Sequence, residues 1–238
     1  MKALVTGADG FVGQWLVQAL LGAGHQVTGA VRDGRPIPGR LSPAELGAVR
    51  WIPLDLRDAA SIDAVAREEV DWVVHLAAVA SSVEAGRRTG LAVMIARAFP
   101  HTGPGQTATY VAPAFLDRIR TAQRTGAVAV KTGNLDPVRE LLDVRDVAEA
   151  YLALLERGRA GEVYNVARGE GIAIGELFGR LAETAGVRVL PEPDPTLMRT
   201  TDVLHLVGDP TKITSETAWT PRRSLDQTLR DLVDAQAH

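Results

Sequence analysis

Three evenly spaced glycines, in Thr6-Gly7-Ala8-Asp9-Gly10-Phe11-Val12-Gly13, constrain this chain more than any other feature of its sequence. The apolar run Ala3 to Val5 before them reads as a buried parallel strand. After them, Phe11, Val12, Trp15, Leu16, Ala19 and Leu20 recur at helical spacing up to Leu21, and Gly22 and Gly24 supply a stop. Strand, glycine turn and helix in that order make the first half of a dinucleotide-binding βαβ unit. Gly7 allows a tight reversal, Gly10 lets a pyrophosphate approach the backbone, and Gly13 lets the helix lie close on the strand. The N–H groups and positive end of the helix then face the phosphates. Asp9, Phe11 and Val12 lie within the turn and join the glycines as expected cofactor contacts. The spacing is Gly-x-x-Gly-x-x-Gly, and a glycine triplet alone would also serve as a structural turn. The strand before it and the helix after it favour the cofactor reading.

Composition narrows the class. At 238 residues the chain can bury one sizeable core or two small ones, and its 46% apolar and 23% charged residues are those of an ordinary globular protein. A net charge of −3 implies no broad basic face, so nucleic acid is not an expected partner. The absence of cysteine excludes disulfides and thiolate chemistry, and no histidine pair has metal-ligand spacing, so no metal site is expected. No apolar run is long enough to cross a membrane, and the N-terminus enters a core strand without a leader pattern. The expectation is a cytoplasmic protein without membrane contact.

A second strand is expected from His25 to Val31. Where such a strand ends, an acid would accept a hydrogen bond from the adenine ribose and an arginine would tolerate a 2′-phosphate. Arg32 favours NADP, and Asp33 beside it keeps NAD open. Arg32 would serve equally as a solvated loop residue. Arg35 to Pro43 reads as loop, Val49 to Leu54 as a third strand, Ser61 to Glu69 as a helix capped by Asp58, and Val70 to Leu76 as a fourth strand.

Thr6-Gly7-x-x-Gly10-x-x-Gly13, Asp55-Leu56 and His75-Leu76-Ala77-Ala78, in this order, resemble the extended short-chain dehydrogenase/reductase family of nucleotide-sugar enzymes. The resemblance implies that Asp55 and Leu56 hold the adenine and that Ala77 and Ala78 border the cofactor. The family continues with a helix, a strand carrying a catalytic Ser or Thr, and a helix carrying Tyr-x-x-x-Lys. Here Ser81-Ser82-Val83 runs almost at once into Gly90 to Phe99, a run similar to the family's sixth strand. The residues four places after Tyr110, Tyr151 and Tyr164 are Ala114, Leu155 and Arg168, so Tyr-x-x-x-Lys does not occur. In the family that tyrosine moves the proton beside the hydride, with the lysine lowering its pKa. No catalytic residue is therefore assigned. Either the chain carries a deletion, which would bring Leu91 to Ala98 beside Val70 to Leu76, or the sequence joins two segments across something unrecorded. A Cα–Cα step well beyond about 3.8 Å between Val83 and Gly90 would distinguish them.

Further on, Arg97-Ala98-Phe99-Pro100-His101-Thr102-Gly103-Pro104-Gly105-Gln106 is similar to a loop of GDP-sugar dehydratases and reductases, with Pro100 in place of an asparagine. The segment Gly133 to Val147 resembles GDP-4-keto-6-deoxy-mannose reductases most closely, although Glu140 and Leu141 replace an Asp-Phe pair. The resemblance implies that His101, Arg139 and Arg199 contact the substrate, Arg139 through the nucleotide diphosphate, which suits a guanidinium fork. Leu197 stands where the family has a further arginine. Asp143 to Asp146 are expected to fix their loop and cap a helix from Val147 to Glu156. Other expected elements are a helix from Val111 to Thr125, strands from Val128 to Lys131 and Gly161 to Ala167, a helix from Ile174 to Ala185, a loop from Pro191 to Pro195, and a last helix from Leu225 to Ala235.

The fold class expected is α/β: a Rossmann-like doubly wound parallel sheet, interrupted around its fifth strand, with a smaller C-terminal α/β substrate lobe. Residues 1–130 would form the dinucleotide-binding domain and 131–238 mainly the nucleotide-sugar lobe, with part of the chain free to return to the first. The resemblance implies an NAD(P)-dependent oxidoreductase acting on a nucleotide sugar, GDP-linked in preference, with NADP or NAD as cofactor. The alternatives are a binding protein of the same fold without turnover, and a GDP-mannose 4,6-dehydratase or epimerase. A homodimer is one assembly the family allows.

Overall fold

The computed structural model describes residues 1–76, 92–198 and 202–236. Ala77, Ala78, Arg199 and the Val83–Gly90 junction lie outside the described residues. Contacts divide the chain into two units: Met1–Ala96, Val147–Val163 and Glu216–Trp219 in the first, and Arg97–Asp146, Tyr164–Ser215 and Thr220–His238 in the second. Neither unit is one continuous segment, and the chain returns to the first unit at Val147–Val163 and Glu216–Trp219.

The first unit is built on four parallel strands, β1 (Lys2–Thr6), β2 (Gln26–Val31), β3 (Val49–Pro53) and β4 (Trp72–His75), in the order β3-β2-β1-β4. This is half of the doubly wound order, with the crevice falling between β1 and β4, where the direction of strand succession reverses. Burial follows position. Ala3 to Thr6 in the central strand β1 are all buried, whereas Val73 in β4 is 57% exposed. Helix α1 (Phe11–Gly22) buries Trp15, Leu16, Val17 and Leu20. Each such fully buried apolar side chain contributes about 1.5–3 kcal/mol.

Three expectations for this unit change. The stretch read as loop up to Pro43 runs into helix α2 (Pro43–Ala48), opened by a capping box in which the Glu45 amide donates to Ser42 Oγ at 3.2 Å and the Ser42 amide to Glu45 Oε2 at 2.7 Å. Helix α3 (Ala59–Ala66) is capped by Asp58 as expected, but it begins and ends earlier than Ser61 to Glu69. The pairing of the fifth strand with the fourth that a deletion would require is not observed among the described residues. Strand β5 (Ile95–Ala98) is hydrogen-bonded to β10 (Val163–Val166), and among the described residues the four-stranded sheet ends at β4.

The second unit contains strands β6 (His101–Thr102), β7 (Ala129–Thr132), β8 (Val138–Glu140), β9 (Leu142–Asp143), β11 (Gly171–Ala173), β12 (Leu190–Pro193) and β13 (His205–Leu206). A three-stranded sheet has the order β11-β8-β13, and the pairs β12–β7 and β6–β9 are parallel. The core is formed by α4 (Val111–Thr125), α6 (Ile174–Thr184) and α8 (Leu225–Ala235), with Phe115 and Phe178 meeting edge-to-face at 5.3 Å. Helix α5 (Val144–Arg157) starts three residues earlier than expected, where Asp143 Oδ1 accepts the Arg145 amide at 2.8 Å. Helix α7 (Thr211–Thr217) follows an Asp209 carboxylate that accepts the Thr211 amide at 2.9 Å.

The expected loop from Pro191 to Pro195 is instead strand β12 followed by a short 3-10 turn. Leu190 and Asp194 donate backbone N–H groups to Val128 and Thr132. Pro191 and Pro193 occupy alternate positions on this exposed strand, where the missing N–H faces away from the partner.

Candidate functional site

The glycine turn joins β1 to α1. Gly7 has φ +67°, in the left-handed region, and its carbonyl accepts the Gly10 amide at 3.0 Å. A Cβ on Gly13 would stand 2.2 Å from the Gly7 oxygen, so nothing larger than glycine fits between helix and turn. Gly10 is the N-cap of α1. No side chain caps the helix and its first turn holds no acidic residue. A helix opening in this way at the carboxyl end of a parallel sheet is suited to phosphate oxygens. The turn, with Phe11 and Val12 in the first helical turn, thus fits a dinucleotide pyrophosphate.

Asp9 is engaged on the other side of the turn. Its carboxylate Oδ2 accepts the Ile37 amide at 3.2 Å, and its carbonyl accepts Gln14 Nε2 at 2.8 Å. Gln14 Oε1 in turn accepts the Arg40 amide at 2.7 Å, and the Arg40 guanidinium stacks 3.1 Å over the Trp15 ring and bonds Gln18. The segment after β2 is thus strapped along α1. Its side-chain anchors, Gln14 and Arg40, were not among the expected site residues.

At the carboxyl ends of β1 and β4, Thr6 Oγ1 lies 2.8 Å from His75 Nδ1 and accepts the Leu76 amide at 3.2 Å. Arg32 is exposed just past β2. After β3, Asp55 is held by Arg57, whose Nε and Nη2 donate to its two oxygens at 3.0 and 2.8 Å. Arg57 keeps the Asp55 carboxyl well below the usual range, and the Arg32 charge adds to that effect. Leu56 beside it is 39% exposed. The expected adenine contacts therefore flank the same sheet end as the glycine turn.

In the second unit, His101 lies on β6 with Nδ1 2.9 Å from the Phe99 carbonyl. A carbonyl only accepts, so Nδ1 carries the proton, and burial lowers the imidazole pKa, favouring the neutral ring. Arg139 lies at the middle of β8, where Nη2 donates to Asp202 Oδ1 at 2.6 Å and Nη1 to the Val138 carbonyl at 2.8 Å. Its neighbour Glu140 is fully buried and accepts backbone N–H groups of Gly208 at 2.6 Å and Arg168 at 2.9 Å. The acid that departs from the family pattern therefore ties three backbone segments together. Burial nevertheless pushes its pKa up. Asp143 and Asp146 are likewise structural: Asp143 bonds Arg145 and Thr228, and Asp146 bonds Arg223 at 2.6 Å.

The tyrosines offer no replacement for the missing pair. Tyr110 is exposed, burial pushes Tyr151 up to about 12, and Lys212 stacks on the ring face of buried Tyr164 at 4.9 Å. An open depression of about 660 Å³ beside Val128, Glu183 and Leu190 contains none of the expected site residues. No helix among the described residues is long and apolar enough to cross a membrane.

Strand order and glycine turn define the class: a Rossmann-type α/β protein with a dinucleotide-type phosphate turn. Residues 81–232 match the family model described as GDP-mannose 4,6 dehydratase, and residues 3–89 match the model described as NAD dependent epimerase/dehydratase family. The first match takes in more than half of the chain, and the chain belongs to that family. A similar curated protein is GDP-6-deoxy-D-mannose reductase of Pseudomonas aeruginosa, 36% identical over 162 residues, which are 68% of this chain and 53% of that protein. The chain spans about half the length of the curated relatives it matches. Among solved structures, a Burkholderia cenocepacia protein assigned as an epimerase is 28% identical, with a TM-score of 0.83 over 100% of this chain and 98% of that one. RMD of Pseudomonas aeruginosa, crystallised with NADPH, shares the fold at 24% identity and a TM-score of 0.72, covering 98% of each chain.

Proposed function

We propose that this protein is an NAD(P)-dependent oxidoreductase of nucleotide-sugar metabolism, most like a GDP-4-keto-6-deoxy-mannose reductase. The observation that carries the reading is the tight Gly7–Gly13 turn that opens directly into helix α1 at the carboxyl end of the parallel sheet. The curated relative is described as a GDP-6-deoxy-D-mannose reductase, and the structural neighbour was crystallised with NADPH. A bound nicotinamide would supply or accept the hydride. In this reading the turn binds the pyrophosphate, Arg32 takes the adenosine end, and Asp55 and Leu56 border the adenine. His101 and Arg139 hold the nucleotide sugar, with Arg199 and the Ala77-Ala78 pair as further contacts. A cytoplasmic location and a homodimer belong to the same reading.

A second reading has its own observation. The sequence contains no Tyr-x-x-x-Lys, so a protein that binds cofactor and nucleotide sugar without turnover fits it as well. One experiment separates the two. The protein is mixed with NADPH and a GDP-4-keto-6-deoxy sugar, and the absorbance of reduced nicotinamide is followed. Oxidation of NADPH supports the reductase. Cofactor binding without oxidation supports the binding protein, and failure to bind cofactor overturns both.

A further inference from the structure

We infer that Asp202 is a positioning residue for Arg139, holding its guanidinium in the orientation that receives a nucleotide diphosphate. The inference rests on the nucleotide-sugar reading above and adds a residue to which that reading gave no role.

Arg139 sits on the central strand of the sheet β11-β8-β13, opposite Ile172 in one neighbour and Leu206 in the other. Side chains alternate along a strand, so Val138 and Glu140 point to the other face. There Glu140 is locked by the Gly208 and Arg168 amides, which fixes the strand from behind. Asp202 lies just before β13, and its place is set by the parallel register of His205 with Val138 and Leu206 with Arg139. The Asp202 side chain is 20% exposed and that of Arg139 is 16% exposed, and they meet through a single Nη2–Oδ1 bond of 2.6 Å. The other terminal nitrogen is anchored on the Val138 carbonyl at 2.8 Å. Both arms of the fork are thereby aimed, and the guanidinium has more N–H donors than these two bonds use.

A diphosphate is recognised through the planar, bidentate geometry of an arginine, so orientation sets affinity as much as charge does. An arginine without Asp202 would lose rotamer freedom when the ligand arrives. With Asp202 that ordering has already occurred. The contact is monodentate, which leaves the guanidinium able to accept a second anionic partner without releasing the first.

The test is calorimetric titration of GDP into the full chain, with NADPH titrated into each protein as a control on the other unit. Asp202→Asn is expected to weaken GDP binding about tenfold, the loss of one charge-assisted hydrogen bond. Asp202→Glu is expected to restore most of that loss, and NADPH affinity is expected to stay unchanged in both. In an Arg139→Ala background Asp202→Asn should have no further effect on GDP. Unchanged or tighter GDP binding by Asp202→Asn, or an undiminished effect in the Arg139→Ala background, overturns the positioning role alone. Failure of the unsubstituted protein to bind GDP overturns the nucleotide reading and the positioning role with it.

Discussion

A Cβ on Gly13 would stand 2.2 Å from the carbonyl oxygen of Gly7, closer than any real Cβ contact, and the obstructing atom is backbone. Gly13→Ala must therefore push α1 off the turn. The expected cost is about 3 kcal/mol of stability, typical of overpacking against an atom that cannot rotate away. Urea denaturation of the two proteins measures it.

Asp146 and Arg223 make an ion pair whose members differ in exposure: the Asp146 side chain is fully buried and that of Arg223 is 24% exposed. Burial raises the Asp146 pKa, and Arg223 works against that rise. Removing the guanidinium takes away the cation that faces a buried carboxylate still held by the Arg223 amide, whereas removing the aspartate leaves a cation that reaches water. Arg223→Ala is expected to cost about 3 kcal/mol and Asp146→Ala less. Denaturation midpoints at pH 7 would reveal the order.

Glu140 gives a pH signature. Its folded pKa is raised by burial above the unfolded value of 4.5. As pH rises through the window between the two values, the unfolded chain releases its proton first, so this group makes stability fall with rising pH. Its destabilising effect is complete above the folded pKa and absent below the unfolded one. Subtracting the pH–stability curve of Glu140→Gln from that of the parent should leave a negative slope in that window. A flat or positive difference contradicts the assignment.

The strap over α1 depends on Gln14, which bonds both the Asp9 carbonyl and the Arg40 amide. Gln14→Ala is expected to raise amide exchange in residues 37–42 about tenfold while leaving β1 protected, since such loops open locally. Hydrogen-exchange mass spectrometry resolves the two segments.

Much of this organisation was legible in the sequence because it rests on local patterns. The glycine turn, the β1–α1 unit and the helix from Val111 to Thr125 follow from spacing alone. The helix after Pro43 was equally legible, since Ser42-Pro43-Ala44-Glu45 is a capping box with proline at its first position, but the prolines and glycines before it masked the signal. Strand β12 was hidden for a different reason: Pro191 and Pro193 argue against a strand unless one knows that it pairs along a single edge. The contacts of Glu140 and Asp202 could not be read. Their partners lie 68 and 63 residues away in sequence, at Gly208 and Arg139, and only the fold brings them together.

The central claim is that the Gly7–Gly13 turn holds a dinucleotide pyrophosphate, and NADPH titration of the parent protein and Gly10→Ala tests it most directly. Gly10 has an ordinary φ of −72°, and a Cβ there would lie 3.2 Å from the Gly7 backbone oxygen, a tight contact, so the variant is expected to lose a little stability and its melting temperature is measured alongside its affinity. The expected result is micromolar binding by the parent, weakened about tenfold in the variant by the methyl group at the phosphate-facing backbone. No binding by the parent, or equal affinity in both proteins, would contradict the account.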